Sequence, residues 1–146
     1  MEHPELHGFY FEELKIGQQA TVSRTITETD LRNFSGVSGD TNPMHLNEEF
    51  AKTTPFAGCI VHGMLTASLI SAVIGTKLPG PGCIYMSQTL KFLAPVRVGD
   101  TVYATGTVKA LLPEKKRAVI TTQCYVHDTM VIDGEALIKV PSKHAA

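Results

Sequence analysis

Two short clusters concentrate the residues of this 146-residue chain that can move a proton or stabilise a charge. The first, Gly39-Asp40-Thr41-Asn42-Pro43-Met44-His45, sets a carboxylate and an imidazole in one loop whose direction Pro43 restricts. A carboxylate that hydrogen-bonds an imidazole sets its tautomer and raises its basicity. Such a pair can take a proton from water and return one to carbon. Spacing alone favours a plainer reading, with Asp40 capping a turn and His45 buried and hydrogen-bonded, because perturbed pairs are often structural. Asn42 is expected to order the loop through side-chain-to-backbone bonds.

The second cluster, Cys59-Ile60-Val61-His62-Gly63-Met64-Leu65, opens the most apolar run in the chain. Gly63 falls where a helix is predicted to begin. Its amide would be one of the unpaired first-turn donors, at the end of the helix dipole that favours negative charge. A glycine also lets a carbonyl approach the backbone closely. That is an oxyanion-hole arrangement, worth ~3–4 kcal/mol per donor when one is removed. The other reading of Gly63 is tight packing and nothing more. His62 is assigned a structural role, such as bonding to backbone. Ser71, eight residues on and expected near the same helix face, either bonds the carbonyl four residues back or holds a water or substrate atom. Together the clusters point to proton-coupled water chemistry beside a carbonyl.

The elements that must hold them follow from pattern. Ala20, Val22 and Ile26, among threonines and serines, predict a first strand. Thr27 is an N-cap candidate with Asp30 three residues on, and Gly39 closes the short helix that follows. Asp40 therefore lies just beyond a helix. Asn47-Glu48-Glu49-Phe50-Ala51 carries a second capping pattern inside an otherwise irregular 40–58. The main helix is predicted over 62–76, apolar nearly all round and hence surrounded by protein. Gly75 and Pro79-Gly80-Pro81-Gly82 stop it. Strands then follow: 84–92 with Ile84, Met86, Gln88, Leu90 and Phe92 on one face; 102–110; 118–126 after the loop Pro113–Lys116; and 132–140 after a turn at Asp128-Thr129-Met130. Residues 1–17 read as an irregular lead-in whose Phe9-Tyr10-Phe11 knot packs on the sheet or a partner, and the tail 141–146 as frayed. Strands in series after one dominant helix indicate α+β: a long, curved antiparallel sheet wrapped around that helix. Its free edges would be covered in a homodimer that joins two sheets.

Length suits a single domain, 1–146. With 43% hydrophobic residues and no tryptophan, aliphatic side chains must fill the core. A net charge of −1 with interspersed signs gives no nucleic-acid footprint and no polybasic membrane patch. The start lacks a secretory pattern, and the run Cys59–Leu78 is too interrupted by polar residues to span a bilayer. Three widely separated cysteines fit a reducing cytoplasm, and the absence of Cys-x-x-Cys with six scattered histidines argues against structural zinc.

Phe34 to Ala51 reads F-x-x-V-S-G-D-x-N-P-M-H-x-x-x-x-x-A, which resembles the signature of the MaoC-like (R)-specific enoyl-CoA hydratases, proteins of the hotdog fold. Ile60-Val61-His62-Gly63-Met64-Leu65 resembles their second shared block, at the start of the central helix. Gly82 to Pro95, with Ile84-Tyr85 and Leu90-Lys91-Phe92, is similar to the short bacterial members that supply polyhydroxyalkanoate monomers. The likeness covers nearly the whole chain, and Met44 stands where Leu, Ile or Val is usual. The resemblance implies that Asp40 and His45 are the catalytic dyad, that Gly63 offers the oxyanion-binding amide, that Asn42 positions the dyad and that Ser71 supports the site. It implies hydration of trans-2-enoyl-CoA to (R)-3-hydroxyacyl-CoA with no metal or redox cofactor, coenzyme A being part of the substrate. It reverses the reading of Asp40 and His45 that spacing favoured. Two alternatives remain: a dehydratase acting on 3-hydroxyacyl chains on acyl carrier protein, and a non-catalytic acyl-CoA-binding hotdog module.

Overall fold

The computed structural model describes residues 3–144. Five strands form one antiparallel sheet: β1 (Gln19–Thr25), β2 (Ile84–Phe92), β3 (Thr101–Leu112), β4 (Arg117–Val126) and β5 (Thr129–Lys139), in the order β1-β3-β4-β5-β2. Among the described residues four α-helices lie between β1 and β2: α1 (Glu28–Ser38), α2 (Pro43–Leu46), α3 (Glu48–Ala51) and α4 (Gly63–Thr76), and two 3-10 turns at Pro4–Leu6 and Phe11–Glu13 precede β1. The α+β hotdog architecture expected from sequence is thus present, with α4 packed against β1, β3 and β4.

The sheet bends around α4 through register breaks at Tyr85/Ser87, Val108/Ala110 and Cys124/Tyr125. An extra residue on one strand kinks it and increases local twist. The breaks also decide which side chains face in. On β3, Val102, Ala104 and Val108 are buried as alternation predicts, but past the break Leu111 packs against the core. On β4 the buried set is Ala118, Ile120, Thr122 and Cys124. On β2 the expected single face from Ile84 to Phe92 is lost: Ile84 and Met86 are exposed, while Leu90 packs on the core.

Three sequence expectations need correction. Residues 43–46 form helix α2 rather than open loop, because Pro43 at its first turn and the Asn42 side chain accepting from Met44 N both favour helix entry. The turn before the last strand is His127-Asp128, so β5 begins at Thr129 instead of Ile132. The tail is held as far as His144: Glu12 accepts from Ser142 Oγ and Lys143 N, and Pro141 O accepts from Phe11 N. Ala145 and Ala146 lie outside the described residues. The aromatic knot splits, with Phe11 buried, Tyr10 stacked on His7 at 4.3 Å and Phe9 largely exposed.

The core is aliphatic. Ile26, Ile70, Ile74, Ile120 and Ile138 are among its fully buried side chains. Helix α4 buries Thr66, Ala67, Leu69, Ile70, Val73 and Ile74, yet Met64, Ser68, Ser71 and Gly75 form an exposed stripe. The helix is therefore enclosed on most sides of a single chain, and not on all of them.

Candidate active site

Asp40, Asn42, His45 and Gly63 are gathered at one end of α4 by three short helices and their caps. Helix α1 ends at Gly39, whose φ of 78° is the left-handed cap conformation. The chain then turns sharply into the Asp40 loop. There Asp40 N donates to Ser38 Oγ (3.1 Å), and the Asp40 carboxylate accepts from Asn42 N (3.2 Å). Asn42 thus does two things: its backbone holds the Asp40 carboxylate, and its side chain caps α2, the helix that carries His45.

His45 is buried, and its Nδ1 lies 2.8 Å from Ile60 O. A carbonyl oxygen only accepts, so Nδ1 carries the proton and, in the neutral ring, Nε2 carries the lone pair. The tautomer is therefore set by Ile60 and not by Asp40, as the sequence reading supposed. Among the described residues no hydrogen bond joins Asp40 to His45. The Asp40 carboxylate is held within its own exposed loop while the imidazole is anchored inside. One oxygen of Asp40 and one ring nitrogen each of His45 and His62 nevertheless lie within 4.8 Å of one another. A separation of that size suits a single bridging water.

The same trio is a candidate cation cluster among the described residues. Its geometry suits a metal poorly. The two imidazoles stack with ring centroids 4.0 Å apart and planes 27° from parallel. Ring lone pairs lie in the ring planes, so the two run side by side instead of converging. His62 Nε2 is also already taken, lying 3.1 Å from both Ser35 Oγ and Asp40 O.

Gly63 opens α4, and His62 before it makes no side-chain cap. The first helical amides to find an acceptor are those of Leu65 and Thr66, both on His62 O, at 3.0 and 3.2 Å. Among the described residues, the Gly63 and Met64 amides are left as open donors at the positive end of the dipole. The packing reading of Gly63 also has substance: an added Cβ would lie 2.7 Å from Cε1 of the exposed Phe92 ring.

In front of these groups is a cleft of about 470 Å³, within the usual range for small-molecule sites of roughly 300–1,000 Å³. Asp40, His45, His62 and Gly63 line it on one side, and apolar side chains such as Phe56, Phe92 and Val131 line the rest. It offers an acid/base pair, open amide donors and an apolar bed for a chain. Ser71 is not brought here. Eight residues are 2.2 turns, about 80° round the axis from Gly63, and this puts it on the solvent stripe of α4. Sequence reasoning passed over Ser35, Thr66 and Phe92, and gave His62 too little. Only the adjacency of His62 to Gly63 was a signal; Ser35 and Phe92 became visible through contacts across 27 or more residues, to His62 and Gly63, and Thr66 by lining the cleft.

Comparison with known proteins agrees with this architecture. A family model described as MaoC like domain matches residues 12–131. An (R)-specific enoyl-CoA hydratase of Rhodospirillum rubrum is 56% identical over 143 residues, covering 98% of this chain and 99% of that protein. A 3-hydroxybutyryl-CoA dehydratase of Methylorubrum extorquens is 51% identical, covering 98% and 91%. Among solved structures, the (R)-hydratase from A. caviae involved in PHA biosynthesis superposes with a TM-score of 0.86 at 43% identity, covering 89% of this chain and 99% of that one. Family model, near-full-length identity and shared fold agree, and the chain belongs to the MaoC-like domain family.

Proposed function

We infer that this protein is a hydro-lyase that adds water across the double bond of a trans-2-enoyl-CoA to give the (R)-3-hydroxyacyl-CoA. The observation that carries the reading is the convergence of Asp40, His45 and the uncapped start of α4 on one apolar cleft. The names of its near-full-length relatives support the same activity, and that of the M. extorquens relative describes the reverse direction. The name of the A. caviae structure supports a role in supplying polyhydroxyalkanoate monomers, and a trans-2-enoyl-CoA substrate would link that supply to fatty-acid oxidation.

In this reading the acyl chain lies along the apolar wall and the thioester oxygen meets the Gly63 amide. Water sits between the Asp40 carboxylate and His45 Nε2. As its oxygen bonds to C3, the dyad accepts one of its protons and the C2–C3 π pair moves toward the thioester oxygen. Gly63 N–H and the α4 dipole stabilise that charge, in the way preorganised donors do. The dyad returns a proton to C2, and the net change is addition of one water. The reaction is redox-neutral, so no electron carrier is called for. Asn42 positions the dyad by holding Asp40 from its amide and capping α2 from its side chain. For the thioester to reach Gly63, the exposed Phe92 ring must swing aside.

The same reading has two copies join through β2, an edge strand that exposes Ile84, Tyr85 and Met86. Exposed apolar edges of this kind favour pairing with another chain. It sets the enzyme in the cytoplasm, with which three free cysteines agree. Among the described residues no helix is long and apolar enough to cross a membrane.

The test is loss of enoyl-thioester absorbance when purified protein meets crotonyl-CoA, followed by determination of product configuration. Rapid formation of (R)-3-hydroxybutyryl-CoA is expected. An (S) product or an inert protein overturns the reading. Faster turnover of the same acyl group on acyl carrier protein would favour the carrier-protein dehydratase instead. Light scattering should give the mass of a dimer.

A further inference from the structure

We propose that His62 is a positioning residue that ties the carboxylate loop, the base and the oxyanion amide into one rigid unit, by donating from Nε2 to the Asp40 carbonyl while its ring supports His45. The proposal rests on the hydratase reading above. It extends the structural role read for His62 from sequence, a bond to backbone, to the positioning of all three parts of that site.

His62 is 1% exposed and touches each of the three working parts. Its Nε2 lies 3.1 Å from Asp40 O and 3.1 Å from Ser35 Oγ. Its ring is stacked 4.0 Å from that of His45, with Phe34 tilted against it at 4.9 Å. Its own carbonyl closes the first turn of α4, accepting from Leu65 and Thr66, and its peptide bond leads into Gly63. Because Asp40 N–H also donates to Ser38 Oγ, the residue is held through both its backbone amide and its carbonyl.

The bonding dictates the tautomer. A carbonyl oxygen accepts only, so the proton is on Nε2, shared between Asp40 O and the Ser35 hydroxyl. Nδ1 is buried and without a hydrogen-bond partner. A bare lone pair there is tolerable, whereas an imidazolium would bury an N–H donor with no acceptor, a costlier arrangement. His62 is therefore neutral, and burial also pushes its pKa below the ordinary histidine value. Neutrality matters to the partner ring: a cation stacked 4.0 Å away would oppose protonation of His45 in the step where it accepts a proton from water.

Two substitutions separate this role from simple packing. His62→Phe keeps the ring and the stack but removes the donor. His62→Gln removes the ring, yet its side-chain amide nitrogen can reach close to the position of Nε2. On crotonyl-CoA, His62→Phe is expected to lower kcat about a hundredfold with KM little changed, the size of loss that accompanies a displacement of about 1 Å in a reacting geometry. His62→Gln is expected to keep kcat within roughly tenfold of the parent, because it keeps the grip on the Asp40 carbonyl. An unchanged kcat in His62→Phe, or an equal loss in both variants, overturns the proposal. Imidazole nitrogen NMR on the unmodified protein gives a readout that needs no turnover. At neutral pH, His62 should show a protonated Nε2 and a bare Nδ1. An Nδ1–H tautomer or an imidazolium overturns the proposal even if His62→Phe fails to fold. An unmodified protein that does not hydrate enoyl-CoA defeats the functional reading alone, and the NMR result still decides whether His62 holds the Asp40 loop.

Discussion

Helices α1 and α4 begin in opposite ways. At α1, Thr27 Oγ1 accepts from Asp30 N (3.1 Å) and Asp30 Oδ2 accepts from Thr27 N (2.9 Å). Arg24 then closes on Asp30 with contacts of 2.6 and 3.1 Å. The Thr27 hydroxyl and the Asp30 carboxylate are thus both taken up within the protein, so a side-chain cap and an ion pair close that end. Helices α2 and α3 are capped likewise, by Asn42 and Asn47. Only α4 among these helices starts without a side-chain cap, because the His62 side chain turns away to Ser35 and Asp40. Among the described residues both helices leave their first two amides without a protein acceptor, but α1 has a side-chain cap that adds stability, whereas α4 has none and its first amides line the apolar cleft. In the proposed reading this difference makes the start of α4 the end that meets substrate.

The contrast can be broken by experiment, and the largest effect is expected beside α4. Asp40→Asn and His45→Gln should each lower turnover of crotonyl-CoA by about 10²–10⁴-fold, the range for loss of a general acid or base. Melting temperatures should stay within a few degrees of the parent. Near-parental rates in either variant would remove the dyad from the mechanism. Gly63→Ala should lower kcat by about ten- to a hundredfold, less than deletion of an oxyanion donor, since the amide remains and only close approach is lost. Its Cβ meets the flexible Phe92 ring, so Gly63→Ala/Phe92→Ala is the control. If that double variant recovers full activity, Gly63 serves packing alone.

At α1 the effects should be smaller and of another kind. Asp30→Asn should cost about 1–2 kcal/mol of stability, after discounting for an Arg24 guanidinium that is half in water, with kcat unchanged. Its pH signature follows from sign. The Arg24 hydrogen bonds pull the Asp30 carboxyl down to about 2 from 3.8. A depressed carboxylate contributes fully above its unfolded value, and that contribution disappears as pH falls from 3.8 through about 2. Acid unfolding of the parent should accordingly carry a component in that window which Asp30→Asn lacks. Thr27→Ala should cost about 1 kcal/mol, as loss of an N-cap does, again with unchanged kcat. A large loss of activity in either α1 variant would erase the distinction between the two helix starts.

Much of this was legible in the chain because it is local. Thr27 and Asp30 three apart, Gly39 after a helical stretch, and Asn47 before Glu48-Glu49 each act within a few residues and were found where expected, and the helix predicted over 62–76 begins one residue later, at Gly63. Non-local features were not legible. Strand alternation ran true along β4 but failed on β2 and late β3, because one extra residue flips every side chain beyond it. Ser71 was expected near the site by counting turns, yet a remainder of about 80° carried it to the solvent stripe.

By itself, the sequence determined the α+β order of elements, the helix caps, and which loop and which helix start carry the candidate acid/base and amide groups. Hydrogen bonds between near neighbours and the period of side chains dictate all of these. Only the tertiary structure decided that Ile60, not Asp40, sets the His45 tautomer, and that His62 stacks on His45 while reaching Ser35 and Asp40. The physical reason is distance along the chain. Ile60 is fifteen residues from His45, and His62 is twenty-seven from Ser35. Groups that far apart meet only when the whole core has closed around α4, and no spacing rule encodes which carbonyl will then face which nitrogen.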